Sequence, residues 1–425
     1  MDVLRLVYFL TNCTQRNDSM SDTFCSVPQL LRMRSLFGLE RENLRILTDG
    51  TLALTPHPDA LGDKLTHPAI TTDFSESQLE LITSAVHTIP ALVDQLNALL
   101  QYVYPGLGHE LLWPLSSLPD GVPDEDKIPI ADFGAAGEDK NAYRRYLAAK
   151  YGSIKQLYCG VHLNFSFDAG DLAAILPDQN GRDAFYLNLA ANAMAHRYFL
   201  IYLLAASPEE TGGISYRSIR LGKEGYRNLA PIYPDYSSAA NFLASIKAAV
   251  ADGKIEGSRE LYQHIRLKGA GFDDLQQTPH IARLELRIPD LNPLYSLGVN
   301  PDDLRLIHLY LLWSASYKDS APFDRAAQQT ANQLADQAAL MYPGAAFREK
   351  MNTIFNLLER FVNANALPLS YHAALEAASE RWRNPEKGYA EQIAAQIRVK
   401  GKSAAGLAWA RAAKQRFVCP SGRIG

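Results

Sequence analysis

The sequence predicts an α+β chain, in which a sheet with one apolar face and one polar, cleft-facing side is followed by a helical C-terminal region. Two patterns carry this. Val161 to Phe167 and Arg283 to Ile288 alternate strictly, which puts apolar side chains on one side of a strand and chemistry-bearing ones on the other. From about Asp302 onward, apolar residues recur at three- and four-residue spacing in an Ala-rich background, which is helical periodicity. Apolar residues make up 47% of the 425, enough to bury a large core.

Residues 1–30 read as a leader, either disordered or, up to residue 19, a mis-called start ahead of Met20. The apolar run Met1 to Leu10 is short and lacks a basic segment before it, so it does not read as a secretory signal. Residues 31–300 form the core, and residues 301–425 a helical buttress continuous with it. Within the core, Pro119 to Lys140 reads as a long surface loop, open to two interpretations, a lid or an idle insertion. Phe185 to Ala206 carries Asn188, Asn192, His196 and Arg197, and Leu304 to Trp313 is too short to span a bilayer. Both read as buried helices. The buttress is expected to contain helices over Ala326–Met341, Phe347–Asn363, Tyr371–Trp382 and Ala390–Val399, ahead of an exposed end from Cys419 to Gly425.

Lys and Arg number 42 against 46 Asp and Glu, a net charge of −4, which does not point to nucleic acid or an anionic membrane as partner. Cys13, Cys25, Cys159 and Cys419 are scattered, with no metal-knuckle spacing, and fit a reducing, cytoplasmic setting.

Four segments carry chemistry. In Gly38 to Glu42, read as a strand, Glu40 and Glu42 share a side. Two adjacent carboxylates repel unless a cation lies between them, and a solvated edge strand is the plainer alternative. In Thr71 to Ile82, Ser75 and Gln78 have capping-box spacing, so a helix is expected there with Asp73, Glu76 and Glu80 along one side. Acids in a first turn also answer the helix dipole alone. In Gln156 to Phe167, His162, Asn164 and Ser166 oppose Val161, Leu163, Phe165 and Phe167, and His162 is the histidine selected as a ligand over a structural role. In Arg283 to Ile288, Arg283, Glu285 and Arg287 share a face. That row is either a surface ion-pair ladder or a metal and phosphate site. Carboxylates with one imidazole favour magnesium, with manganese the alternative, over zinc.

These segments, with Asp49-Gly50, His57-Pro58, Leu61-Gly62, Trp113-Pro114, Tyr143-Arg144, Tyr151-Gly152 and Gly225-Tyr226, resemble bacterial glutamate–cysteine ligase over roughly residues 35–300. The likeness is greatest to the ligase module of bifunctional glutathione synthetases. The resemblance implies a glutamine-synthetase-like curved antiparallel sheet forming a funnel, with helices outside. It implies ATP-dependent joining of the γ-carboxyl of L-glutamate to the amino group of L-cysteine through γ-glutamyl phosphate; a γ-glutamyl ligase for another amine is the alternative. It makes Glu40, Glu42, Asp73, Glu80, His162 and Glu285 ligands of Mg²⁺ (or Mn²⁺), and Arg287, Arg266 and Lys268 phosphate-binding groups. Glu285 and Arg287 are then the catalytic pair, Arg220 binds the glutamate α-carboxylate, and Tyr143, Gln156 and Tyr226 line the acceptor pocket. Partners are small molecules, with the chain a monomer or small homo-oligomer. Two departures stand out. The chain given stops at Gly425, short of an ATP-grasp module, so the dipeptide is the expected product; and Leu163 stands where the family has Tyr, on the side expected to face away from the cleft.

Overall fold

A computed structural model describes residues 25–317 and 321–418. Most of the leader, the Cys419–Gly425 end, Cys13 and Cys419 lie outside these. The helix Val27–Arg32 falls at the leader's end, with Leu30 buried.

Among the described residues the strands are β1 (Ser35–Ile46), β2 (Ile70–Thr71), β3 (Gln78–Ile82), β4 (Leu111–Leu112), β5 (Val161–Phe167), β6 (Glu209–Thr211), β7 (Ile214–Tyr216), β8 (Ile265–Lys268) and β9 (Arg283–Leu286). The main sheet runs β2-β3-β1-β5-β9-β8, with β4 also on β1, and every pairing in it is antiparallel; β6 and β7 form a separate hairpin. β1 is the spine. At 12 residues it is long enough to pair with β3, β4 and β5 along its length.

The alternation read from the sequence decides which face is which. Phe37, Leu39, Leu163, Phe165, Leu284 and Leu286 are buried behind the sheet. The helices Gln179–His196 and Pro301–Ser316 complete this core. Phe167 meets Phe185 at 5.6 Å between ring centroids, and Phe37 meets His308 edge-on at 4.8 Å. Asn300 caps the second helix by accepting from the Asp302 N–H at 3.0 Å, with Pro301 next and Asp302 and Asp303 in the first turn. Those are three starting signals in four residues. Polar groups buried between the two helices are answered across them, Asn192 Nδ2 donating to the Ser314 carbonyl at 2.9 Å and Tyr310 Oη to the Ala193 carbonyl at 2.7 Å.

Several expectations are corrected. Residues 72–77 are loop and Gln78–Ile82 is a strand, not a helix. Half of the capping box forms nonetheless, since Gln78 Oε1 accepts from the Ser75 N–H at 2.9 Å. Here it closes a turn, and the Leu79 and Leu81 alternation carries the chain on into the sheet. The run 185–206 is two helices, Gln179–His196 and Tyr198–Leu204, separated at Arg197, whose guanidinium takes the carbonyl of Met194. Pro119 to Lys140 is a surface loop as expected as far as Gly137, exposed over Asp124 to Lys127 and anchored by buried Ile128 and Phe133 and by a bridge from Ser75 to Ile130, and the helix Glu138–Tyr151 begins at its end. The buttress helices stand at Arg325–Ala338, Ala345–Ala364, Leu369–Arg383 and Tyr389–Lys400, joined by a further one, Lys402–Val418. No helix among the described residues is long and apolar enough to cross a membrane.

His308 tests the core from within. Its Nε2 lies 2.9 Å from Ser35 Oγ and its Nδ1 2.7 Å from Tyr371 Oη, and burial pushes its pKa down to about 3. Below pH ~6.5 the unfolded chain takes up a proton that the native ring refuses, so stability falls on acidification by at most about 1.4 kcal/mol per pH unit. Urea melts between pH 7.5 and 5 are expected to show a shallower acid limb in His308→Gln, from a lower starting stability; equal slopes would contradict this.

Candidate active site

Residues opposite one another in an antiparallel pair project to the same face, and the sheet register therefore assembles the site. Glu80 lies opposite Glu42, Glu40 opposite His162, Asn164 opposite Glu285, and Glu285 opposite Arg266. The result is a row of charged groups across β3, β1, β5, β9 and β8 on the side away from the core. His162 Nδ1 is at its centre, 3.3 Å from Glu40, 3.5 Å from Glu42 and 3.7 Å from Glu285. Glu285 Oε1 accepts from Arg287 Nη1 at 2.9 Å, while its Oε2 faces Arg266 at 3.4 Å and Lys268 at 3.7 Å. Asn164 ties the row together, donating to Glu40 at 2.8 Å and accepting from Arg283 at 3.0 Å.

Charge is unevenly distributed along it. Burial and the neighbouring Asp73 charge push Glu42 up to about 8. Burial and the adjacent carboxylates raise Glu80 well above the ordinary range, and Asp73 is raised by burial. Glu285 goes the other way. Burial opposes its charge, but Arg266, Arg287 and Lys268 hold it well below the usual carboxylate value. His162 is pushed down to about 4, by burial first and then by Arg287, so it is a neutral imidazole with a lone pair free to ligate.

A cation fits here. Glu40, His162 and Glu285 bring ligand atoms within 4.8 Å of one another. His162 Nε2 and Glu285 Oε2 are buried without a hydrogen-bond partner. Glu42, Asp73 and Glu80 are crowded carboxylates whose repulsion a cation would relieve, and oxygen donors with one imidazole suit a hard divalent ion.

The remaining selected residues stand nearby in different degrees. Arg144 braces the Asp73 loop through the carbonyls of Asp73 and Thr72. Arg220 is buried, its Nη2 donating to the Arg287 carbonyl at 2.6 Å and its Nη1 3.3 Å from Asp290. Gly160 is required beside it, since a Cβ there would overlap the Arg220 guanidinium. Tyr226 donates to Gln156 Oε1 at 2.5 Å. Tyr143 stands apart. It packs under the Arg259 guanidinium, 3.6 Å from its ring centroid, and is not on the wall of the cavity that Tyr226 lines. Glu76 turns away from the carboxylate row, accepting from the His57 and Asp132 N–H groups at 2.9 Å and pairing with Lys64. Leu163 is wholly buried behind the sheet, as the alternation expects.

Residues 26–216 match the glutamate-cysteine ligase family model. The chain is 35% identical over 428 residues to the glutathione biosynthesis bifunctional protein of Listeria monocytogenes serotype 4b, covering 90% of this chain and 55% of that protein. The protein of the same description from Clostridium perfringens is 30% identical over 432 residues, 91% of this chain and 54% of that one. The chain thus spans about half the length of the curated relatives it matches. Among solved structures, a bifunctional glutathione synthetase from Pasteurella multocida superposes with a TM-score of 0.84 at 27% identity, over 92% of this chain and 54% of that one. Glutamate–cysteine ligase from Francisella tularensis superposes with a TM-score of 0.81 at 23% identity, over 91% of this chain and 90% of that one, which shows a shared fold.

Sequence reasoning missed most of the groups that loops supply to this sheet. A cavity of about 250 Å³ opens from Glu42, Asp73 and His162 and is walled further out by Tyr158, Arg197, Arg227, Tyr262 and His264. For His264 a signal existed: the alternation of Ile265 and Leu267 with Arg266 and Lys268 runs back to it. Glu260 had none. It is buried and accepts from Lys150 and Tyr151 at 2.5 Å, Tyr146 at 2.9 Å and the Glu256 N–H at 2.6 Å, locking the helix Glu138–Tyr151 to the loop beside Tyr262. Removing one partner of such a network is costly, so Glu260→Leu is expected to lose about 3 kcal/mol in urea unfolding. A loss under about 1 kcal/mol, the size of a surface pair, would contradict it.

Proposed function

We propose that the chain is an ATP-dependent ligase that joins the γ-carboxyl of L-glutamate to the amino group of an amino acid, with L-cysteine the acceptor. The carrying observation is the join between carboxylates and cations on one sheet face, where Glu285 touches His162 on one side and Arg266, Arg287 and Lys268 on the other. A γ-carboxylate is a poor electrophile. Its oxygen attacks the γ-phosphorus of ATP, the bond to the β–γ bridging oxygen breaks, and ADP leaves. The acceptor nitrogen then attacks the γ-glutamyl carbonyl carbon, the carbon–oxygen bond to phosphate breaks, and the amine gives up a proton as the amide forms.

In this reading Glu40, Glu42, Asp73, Glu80, His162 and Glu285 would hold Mg²⁺, or Mn²⁺. A bound divalent ion neutralises phosphate charge and organises the reacting oxygens. Arg287, Arg266 and Lys268 receive the charge spread over the transferring phosphoryl oxygens, already oriented by Glu285. Arg220, fixed by Asp290, faces the glutamate α-carboxylate, and of the acceptor residues Tyr226 stands on the cavity wall with its hydroxyl on Gln156, while Gln156 and Tyr143 lie off that wall. Cys25 and Cys159 are free thiols, which supports the cytoplasm as the place of action.

ADP release from Mg-ATP and L-glutamate, run against a panel of amino acids with products identified by mass, tests this. Cysteine is expected to give γ-glutamylcysteine far better than the rest. A different preferred amine transfers the same chemistry to another pathway; glutamate-independent ADP release would refute the ligase reading.

A further inference from the structure

The cavity does not end at the acidic cluster. Across the β8–β9 pairing the Arg287 N–H donates to the His264 carbonyl at 2.8 Å, and beyond His264 the wall is Arg197, Arg227, Asn332 and Gln263. Four arginines gather around His264. Burial first, then the charges of Arg197, Arg227, Arg220 and Arg287, keep it neutral. Three of the four have a carboxylate partner: Glu285 for Arg287, Asp290 for Arg220 and Asp336 for Arg227. Arg197 is 2% exposed, and among the described residues no carboxylate pairs with it.

Its hydrogen bonds go to neutral acceptors, the Met194 carbonyl, Asn332 Oδ1 and His264 Nδ1, the last at 3.0 Å. A guanidinium has five N–H groups, so two remain, and Asp336, whose charge reaches it, is already paired with Arg227. A buried charge is normally paired, and an unpaired one beside a cavity calls for an anion from outside. A second orphan adjoins it. Gln263 Oε1 on the same wall is buried with no hydrogen-bond partner, and a carbonyl oxygen accepts only from an N–H or O–H.

We infer that Arg197 and Gln263 form a subsite for the head group of an α-amino acid, the carboxylate on Arg197 and the ammonium on Gln263. The inference rests on the ligase reading, in which both substrates carry such a head group, glutamate and the acceptor alike. The subsite adds a recognition residue one step beyond the Arg287 end of the reaction centre.

The test compares substrates with and without the carboxylate. 4-Aminobutanoate is glutamate without its α-carboxylate; propylamine is L-2-aminobutanoate without its own. In wild type each pair differs in kcat/KM. In Arg197→Met one of the two ratios is expected to collapse at least ~30-fold toward unity, because the lost charge acts only on the carboxylate-bearing partner. Gln263→Leu is expected to lower the same ratio, and Arg197→Lys to lie between. Collapse of the glutamate ratio assigns the subsite to glutamate, and collapse of the acceptor ratio assigns it to the acceptor. If wild type turns over and both ratios in Arg197→Met and Gln263→Leu stay within about twofold of wild type, with unchanged melts, the inference is wrong. A wild type without turnover counts against the ligase reading alone. Calorimetric binding of L-glutamate and of L-2-aminobutanoate then judges the subsite, which is overturned if Arg197→Met binds both as tightly as wild type.

Discussion

Glu285→Gln is expected to lower kcat/KM for glutamate-dependent ADP release by ~10³-fold or more while the protein still folds, the scale of losing a preorganised charge at a phosphoryl-transfer centre. The substitution conserves volume, and the strand pairing of residue 285 with Asn164 and Arg266 is main-chain, so the sheet survives. What is lost is the one carboxylate that Arg266, Arg287 and Lys268 share, and that closes the ligand set of Glu40 and His162. Without it the three cations lose their common anchor, and a metal loses a charged donor. Thermal melting alongside the assay separates the effects: a near-native melt with lost turnover is the expected pair. Activity within tenfold of wild type would remove Glu285 from the machinery.

Divalent metal is expected to stabilise the protein, and more strongly at alkaline than at acid pH. Glu42 illustrates the sign. Its folded pKa, about 8, lies above the ordinary 4.5, so between these values the metal-free native state holds a proton that the unfolded chain has released. Stability of the metal-free protein therefore falls as pH rises through that window, by at most about 1.4 kcal/mol per unit from this group. A bound cation favours the ionised carboxylate and reverses the trend. At 100 times its dissociation constant it contributes about 2.7 kcal/mol. Melts with and without Mg²⁺ at pH 6 and 8.5 should show the larger upward shift at 8.5, reduced in Glu42→Gln. A shift independent of pH, or none at all, would contradict the metal assignment.

Much of the cleft was legible because a strand displays its chemistry at a fixed period. His162 and Asn164, Glu40 and Glu42, and Glu285 with Arg287 each fall on the side that alternation assigns. The buttress was legible for the matching reason, its helical stripes being regular. Lys402–Val418 escaped because its buried residues are small, Ala405, Gly406 and Ala410 before Phe417, with glycine where Trp113 packs too closely for a Cβ. β3 was misread because a Ser-x-x-Gln hydrogen bond forms equally well in a turn, and only pairing with the distant β1 makes residues 78–82 a strand and not a helix. The far end of the cavity was illegible for a deeper reason. Arg197, Arg227 and His264 come from a helix junction, a loop and a strand end, and only tertiary packing brings them together.

The most direct test of the γ-carboxyl chemistry traces oxygen. L-Glutamate carrying ¹⁸O in its γ-carboxyl, incubated with Mg-ATP, L-cysteine and the enzyme, is expected to yield γ-glutamylcysteine and inorganic phosphate with one ¹⁸O atom in each phosphate. Phosphate released without the label, at a rate that glutamate does not change, would contradict γ-carboxyl activation and with it the function proposed for this sheet face.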